Sequence, residues 1–333
     1  MEDKKGGALD TENDIYSSKN IKLDLLKLFG FTEKELKFFA MSKKGKYKKI
    51  EIPKRTGGVR TLYSPVFKLK SAQRLILQKI LYKKSSELLT NNVTGFIPGK
   101  SIKNNAEFHI AKKFILKVDI KDFFPSITQD RVYGLLRKEY DLDHATSMYI
   151  SSLCCYNNQL PQGAPTSPTL SNLIARFLDY KLIGLLKSYN EGNTGLDLSY
   201  SRYADDLTFS FNKKIKVSIL INYIISILLE EGFFPNYKKI HLISAGKQQK
   251  ITGVVVNNKI GVGRKHFKKF KSIFYNISKS GFGSELSKWN KVNEVNISSI
   301  EKFKQILGGH LSFIKSLSPE YNEKLLEFNV NLK

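Results

Sequence analysis

The sequence predicts an α+β fold: a split βαβ, ferredoxin-like sheet followed by a small helical unit. Three observations predict it. Between residues 114 and 256 apolar runs of period two and runs at helical spacing follow one another as strand, helix, hairpin, helix, strand, strand. Two carboxylate clusters, Asp119 and the pair Asp205-Asp206, stand at the ends of separate strand-like runs. Beyond Val262 the pattern changes to cationic, amphipathic helices.

Composition narrows the function classes. The 333-residue chain carries a formal charge of +25 and a pI near 9.7, which favours a polyanionic partner. No apolar run is long enough to span a bilayer, and residues 1–20 are polar, of mixed charge and unlike a signal peptide, so no membrane partner is expected. Cys154 and Cys155 are adjacent, which suits neither a disulfide nor a complete zinc site. They read as core thiols in a reducing, cytoplasmic setting.

Residues 1–20 carry no sign of order. Thr32 with Glu35 forms a capping-box pair, and Phe31 can staple onto Leu36, so a helix starts there and runs through Ala40. Residues 47–52 and 59–63 read as strands of a basic hairpin with Lys54 and Arg60 near its tip. Ser64-Pro65 is expected to open the next helix, with proline in the first position. Its apolar face, Leu69, Ala72, Ile76 and Ile80, opposes Lys68, Lys70, Arg74 and Lys79, a cationic face suited to phosphates. The loop 95–101 imitates a phosphate-binding loop, but the required first glycine falls on Thr94 and no apolar strand precedes it, which excludes that reading. Asn105 and His109, four apart, share a helical face; by residue type alone such a His is a hydrogen-bonded structural group.

Helices are expected over 131–140, 144–156, 168–188 and 216–231, the last ended by Gly232. Residues 161–165 form a loop in which Gly163 allows close approach of the backbone to a ligand and Gln162 can bond a sugar or base edge. Residues 189–196 read as a polar loop, and 239–244 and 250–256 as strands. Phe267, Phe270, Phe274 and Ile277 make an apolar stripe crowded by Arg264, Lys265, Lys268, Lys269 and Lys271. A second helix over 301–316 is expected to break at Gly308-Gly309, and Ser318-Pro319 starts a third.

The chemistry lies in the acids. Phe114, Leu116, Val118 and Ile120 alternate with Ile115, Lys117 and Asp119, so Asp119 ends a strand just before a turn at Pro125. Asp205-Asp206 sits at a tight turn between two strands, where a single Asp would ordinarily cap the backbone. Acids on two separate strands can together hold two divalent cations for phosphoryl transfer.

Val118-Asp119 with Phe123-Phe124-Pro125-Ser126, then 160–168 (Leu-Pro-Gln-Gly-Ala-Pro-Thr-Ser-Pro), then Tyr203-Ala204-Asp205-Asp206 resemble, in order and spacing, the palm motifs of reverse transcriptases. Asn105-Ala106-Glu107-Phe108-His109 before them, and Ile251-Thr252-Gly253 where the group has Val-Thr-Gly, are most similar to bacterial retron reverse transcriptases. The likeness runs from about Lys48 to about Leu317.

This resemblance implies a right-hand polymerase: an N-terminal helical segment (1–45), fingers (46–113), a palm (114–260, with fingers elements near 130–160) and a helical thumb (261–333). It implies catalytic roles for Asp119, Asp205 and Asp206 around two Mg²⁺ ions, with the Ile120 carbonyl as a further ligand. Lys239, or else Lys238, would protonate the leaving pyrophosphate. Lys54, Arg60, Gln162 and Gly163 would meet the deoxynucleoside triphosphate, and Phe124 would crowd a ribose 2′-OH. Asp122 would be a turn or triphosphate-side residue. Asn105, His109, Arg264, Lys265, Lys268 and Lys269 would meet nucleic acid. The implied template is a structured non-coding RNA primed from an internal 2′-OH, the product a branched RNA-linked single-stranded DNA, and the setting anti-phage defence with a separate effector protein. Alternatives are another bacterial reverse transcriptase, intron-like or template-free, and a non-catalytic RNA-binding protein on the same scaffold.

Overall fold

The computed structural model describes residues 21–42, 44–53 and 57–332; the segment 1–20 and Lys54 lie outside the described residues. Helices α1 (Ile21–Phe29) and α2 (Glu33–Met41) come first. The Thr32 hydroxyl accepts from the Glu35 N–H and the Glu35 carboxylate accepts from the Thr32 N–H, closing the expected capping box. Phe31, Leu36 and Phe39 enter the main core.

Strands β1 (Tyr47–Pro53) and β2 (Val59–Pro65) pair antiparallel from Tyr47–Pro65 to Pro53–Val59. Pro65 therefore closes a strand and does not open a helix. Val66 is still extended (φ −61°, ψ 157°), with its N–H donating to the Lys46 carbonyl at 3.0 Å, so α3 (Phe67–Ile76) begins only at Phe67. Leu69, Ala72 and Ile76 face inward as their spacing predicts. A π-helical turn, Leu77–Leu81, leads into α4 (Tyr82–Leu88), and its wider pitch keeps the consecutive residues Ile80 and Leu81 both buried.

After α5 (Ile102–Glu107) the chain enters β3 (Phe114–Lys121), the central strand. Next come α6 (Gln129–Glu139), α7 (His144–Cys154), α8 (Ser167–Ile174) and α9 (Arg176–Gly192). One helix was expected over 168–188, with a loop after it. The helix instead breaks at Ala175 (φ −79°, ψ 1°) and resumes through Gly192. The new direction buries both Arg176 and Asp179 against charged partners, Glu139 and Arg202. Strands β4 (Ser199–Tyr203) and β5 (Asp206–Phe211), helix α10 (Val217–Glu230), then β6 (Phe234–Pro235) and β7 (His241–Ser244) complete the sheet.

In space β4, β5 and β3 lie in that order, with β7 and the short β6 on the far side of β3, all antiparallel. With α8–α9 and α10 as crossovers, this is the expected ferredoxin-like order. The strand expected over 250–256 stays out of the sheet. It folds on itself as β8 (Lys250–Ile251) and β9 (Val254–Val255), turning at Thr252-Gly253.

β3 serves two cores, as its alternation predicts: Leu116, Val118 and Ile120 enter the main one, and Ile115 the second. The second core joins Ala106 and the β8–β9 ribbon to α11 (Arg264–Asn293), α12 (Ile300–Leu317) and α13 (Pro319–Leu326). Phe270, Phe274 and Ile277 are buried there, and Phe267 stacks on Tyr321 with ring centres 4.0 Å apart. Gly281 (φ 77°) kinks α11. Helix α12, by contrast, runs unbroken through Gly308-Gly309, because Phe303, Leu307, Ile314 and Leu317 bury one face along its whole length. That burial outweighs the roughly 1 kcal/mol that each helical glycine costs. Cys154 and Cys155 are free and buried; burial pushes the Cys154 thiol up to about 12, which keeps it inert. Among the described residues no helix is long and apolar enough to cross a membrane.

Candidate active site

The register of β4 on β5 pairs Tyr203 with Asp206 and leaves Ala204-Asp205 as a two-residue turn, with Ala204 left-handed at φ 58°. The register of β3 on β5 sets Asp119 directly opposite Asp206. The Ile120 N–H donates to the Asp205 carbonyl at 2.9 Å, which fastens the turn to the central strand. Carboxylates far apart in the sequence are thus brought together by strand pairing alone.

Both oxygens of the Asp119 carboxylate accept from Lys239 Nζ, at 2.9 and 3.0 Å, and Oδ2 also accepts from Asn236 Nδ2 at 3.2 Å. Lys239, not Lys238, is thus the lysine that reaches the acids. Burial, and then repulsion by Asp119, pushes the Asp205 carboxyl above the usual carboxylate range. Burial also raises Asp206, opposed by Lys117 Nζ at 3.4 Å. Half-buried acids that repel one another in this way are stabilised in their ionised form by an added cation, so Asp119 and Asp205 are chemically suited to divalent metal. In the strand the Ile120 carbonyl leaves on the same edge as its N–H, towards the Asp205 turn.

Asp119 and Asp205 line a cleft of about 1390 Å³ between the sheet, the β1–β2 hairpin and α3. Ile120, Arg60, Phe124, Gln162 and Lys239 line it too, so most of the expected substrate-side residues converge. Asp206 does not; it turns towards Lys117. Asp122, left-handed at φ 48°, is a turn residue on the cleft wall. Gly163 (φ 114°) lines the cleft and also packs closely on β2. A Cβ there would lie 3.0 Å from the Tyr63 carbonyl, while the Tyr63 N–H donates to the Gln162 carbonyl at 2.7 Å. The glycine clips this loop to β2. The reading of residue types also missed Phe96, whose ring sits between those of Phe124 (6.1 Å) and Tyr203 (6.2 Å).

Two expected nucleic-acid contacts are corrected. His109 is fully buried, its ring nitrogens bonded to Ser210 Oγ (2.7 Å) and Ser201 Oγ (2.8 Å). Burial, with Lys112 and Lys117 nearby, pushes its pKa down to about 3, so the imidazole is neutral. Asn105 is buried as well, and its Oδ1 accepts from Thr94 Oγ1 (2.8 Å) and Ser201 Oγ (2.7 Å). Neither side chain has a surface to offer a nucleic acid. Arg264, Lys265, Lys268 and Lys269 are exposed on α11, away from the cleft, with Lys269 Nζ 4.8 Å over the Trp289 ring.

Behind the turn lies a network the residue pattern did not reveal. Arg202, fully buried, donates to both oxygens of Asp179 (2.8 and 2.6 Å), to Asn172 Oδ1 (2.9 Å) and to the Ala204 carbonyl (3.3 Å). The Tyr200 hydroxyl donates to the same Asp179 at 2.8 Å. Residues 92–94 run beside β4, with Thr94 N–H donating to the Arg202 carbonyl at 2.9 Å. Gly95 then presses on the turn so closely that a Cβ would lie 2.7 Å from the Ala204 nitrogen. Two signals were present: an Arg flanked by residues of an apolar strand, and an Asp on the Leu178–Leu182–Leu186 face of a helix. A charge in such a place needs a partner.

The family described as reverse transcriptase (RNA-dependent DNA polymerase) matches residues 52–256. The chain is 33% identical over 318 residues to the retron Ec86 reverse transcriptase of Escherichia coli, covering 95% of this chain and 87% of that one. It is 31% identical over 297 residues to the retron Mx65 reverse transcriptase of Myxococcus xanthus, covering 84% of this chain and 63% of the relative. Among solved structures the fold resembles apo telomerase from Candida tropicalis (TM-score 0.51, 14% identity, 88% of this chain and 63% of that one). Telomerase from Candida albicans, solved with a fragment of telomeric RNA, is similar at TM-score 0.50 and 14% identity, over 90% of this chain and 62% of that one. With the right-hand polymerase fold, the paired acids and these relatives together, the chain belongs to the reverse transcriptase family, as an RNA-directed DNA polymerase of the retron group.

Proposed function

We propose that this enzyme copies a structured non-coding RNA, primed from an internal 2′-OH, into a branched RNA-linked single-stranded DNA. The observation that carries the polymerase chemistry is the convergence of Asp119, Asp205, Lys239, Arg60 and Phe124 on one cleft. Likeness to retron reverse transcriptases over 95% of the chain supports the particular product. The same likeness supports a bacterial cytoplasmic setting and a role beside a separate effector protein in anti-phage defence. Co-purification with a candidate effector encoded beside the gene tests that last part, and a protein that never retains one speaks against it.

Two Mg²⁺ ions, held by Asp119, Asp205 and the Ile120 carbonyl with Asp206 in support, would supply Lewis-acid activation of the attacking hydroxyl and the leaving pyrophosphate. The chain's own residues do the rest. Arg60 and Lys54 bind the triphosphate, Gln162 orients the sugar or base, and Lys239 leaves Asp119 to protonate the pyrophosphate. Residues 46–113 serve as fingers, 114–260 as palm and 261–333 as thumb. The exposed Arg264, Lys265, Lys268 and Lys269 lie along the duplex backbone. Changing Lys265, Lys268 and Lys269 to Gln should flatten the salt dependence of RNA binding by about 0.7–0.9 in slope for each phosphate no longer neutralised. An unchanged slope means this face points away from nucleic acid.

Phe124 crowds the 2′ position. Phe124→Ala should shift the ratio of deoxy- to ribonucleotide incorporation towards ribonucleotides by about 10-fold or more, the scale of ~1.4 kcal/mol of reduced discrimination. Single-nucleotide extension with matched dNTP and rNTP measures it, and a constant ratio makes Phe124 a packing residue.

The product itself decides the retron reading. Nucleic acid purified with the protein should contain RNA and DNA joined covalently. Ribonuclease should leave a ribonucleotide stub at the DNA 5′ end, and a 2′,5′-specific debranching enzyme should release that end. A conventional primer end, indifferent to debranching, points to an ordinary reverse transcriptase. Low-complexity DNA points to a template-free polymerase.

A further inference from the structure

The turn of the β8–β9 ribbon is occupied against its backbone preference. Thr252 (φ 44°) and Gly253 (φ 95°) both have positive φ, the two-residue hairpin geometry that favours Asn-Gly or Gly-Gly. A β-branched residue in the left-handed region is strained. What Thr offers there and glycine does not is a hydroxyl, and Thr252 Oγ1 accepts from Asn105 Nδ2 at 3.4 Å.

Asn105 leads straight to the acids. Its Oδ1 takes the hydroxyl protons of Thr94 and Ser201, and Ser201 lies on β4, two residues before the turn begins at Tyr203. Ser201 also meets His109, which reaches across to Ser210 on β5. Both strands that carry the turn are thereby tied to Asn105 and His109. On its other side the ribbon belongs to the second core: Ile251, Val254 and Val256 pack with Phe270, Phe274 and Phe303 of α11 and α12. The Val255 N–H and carbonyl bond to Gly261, just ahead of α11.

We propose that Thr252 is a positioning residue that links the base of the α11–α13 unit to the catalytic turn, so that the unit's grip on a duplex holds Asp205 in its working position. This rests on the reading of α11–α13 as the unit that grips the duplex. The link is a hydrogen-bonded path, Thr252–Asn105–Ser201, that starts at a half-buried hydroxyl and continues through two buried side chains.

The test uses Thr252→Gly and Thr252→Ser with an external primer–template, so it does not depend on the branched product. Thr252→Gly suits the turn, and its melting temperature should stay within about 2 °C of the parent. Its equilibrium affinity for the duplex should be unchanged. The number of nucleotides added per binding event, read in the presence of a polyanion trap, should fall about three- to tenfold. Thr252→Ser keeps the hydroxyl and should restore it. Parental processivity in Thr252→Gly overturns the proposal, even where the lysine variants establish that the thumb grips the duplex. A processivity loss that tracks a fall in melting temperature, or that Thr252→Ser shares, overturns it too. If Thr252→Gly weakens duplex affinity instead, the hydroxyl serves binding and the link is likewise refuted.

Discussion

Asp119→Asn and Asp205→Asn should each reduce nucleotide incorporation by about three orders of magnitude or more, with RNA binding nearly intact. Each exchange removes a negative charge from the cleft and leaves the shape almost unchanged. Electrostatic stabilisation worth several kcal/mol vanishes with it, and every ~1.4 kcal/mol is a factor of ten in rate. Binding should survive because the cations of α3, Lys70 and Arg74 on the same cleft, and those of α11 are all left in place. Asp206→Asn should cost less, since Asp206 lies off the cleft and against Lys117. Primer extension under single-turnover conditions, beside an RNA-binding titration, measures both quantities. Parental incorporation by Asp119→Asn would remove that acid from the chemistry.

The second large effect belongs to a residue that touches no substrate. Arg202→Ala leaves the Asp179 carboxylate buried without its bidentate partner and should lower stability by about 3–5 kcal/mol. Thermal unfolding should show it as a fall of about 4–7 °C. Arg202→Met combined with Asp179→Leu removes both charges, fills similar volume and should recover most of that loss. Activity should remain low in the double variant, because the Ala204 carbonyl has lost its donor and the turn its brace. A double variant as active as the parent would reduce the pair to a fold element. A single variant with the parental melting temperature would mean that the pair does not hold the turn.

The ordered acids could be read in the sequence because strand alternation and turn length are local properties. Val118-Asp119 and Tyr203-Ala204-Asp205-Asp206 each carry their geometry within a few residues. What brings them together is a register, Asp119 opposite Asp206, and no local pattern encodes it. Pro65, Ala175 and Gly308-Gly309 show the converse. At each, a local preference was overruled by something distant: a backbone bond to Lys46, the burial of Arg176 and Asp179, and the apolar face of α12. Asn105 and His109 show a third limit. Their shared side was legible, but polar residues facing a solvent-exposed partner and polar residues facing other buried polar groups have the same spacing. Only the packing of β4 and β5 against them decides.

The central place of β3 has a consequence for synthesis on the ribosome. Every strand that pairs with β3 follows it in the chain. At ~5–20 residues per second, roughly 4–17 s pass between the completion of Lys121 and the arrival of Asp206, and longer before β7. Through that interval a strand containing Ile115, Leu116, Val118 and Ile120 has both edges unsatisfied, the condition under which a strand recruits a neighbouring chain. The same topology that places Asp119 at the middle of the sheet makes the nascent polypeptide a natural client for chaperones until the hairpin closes over it.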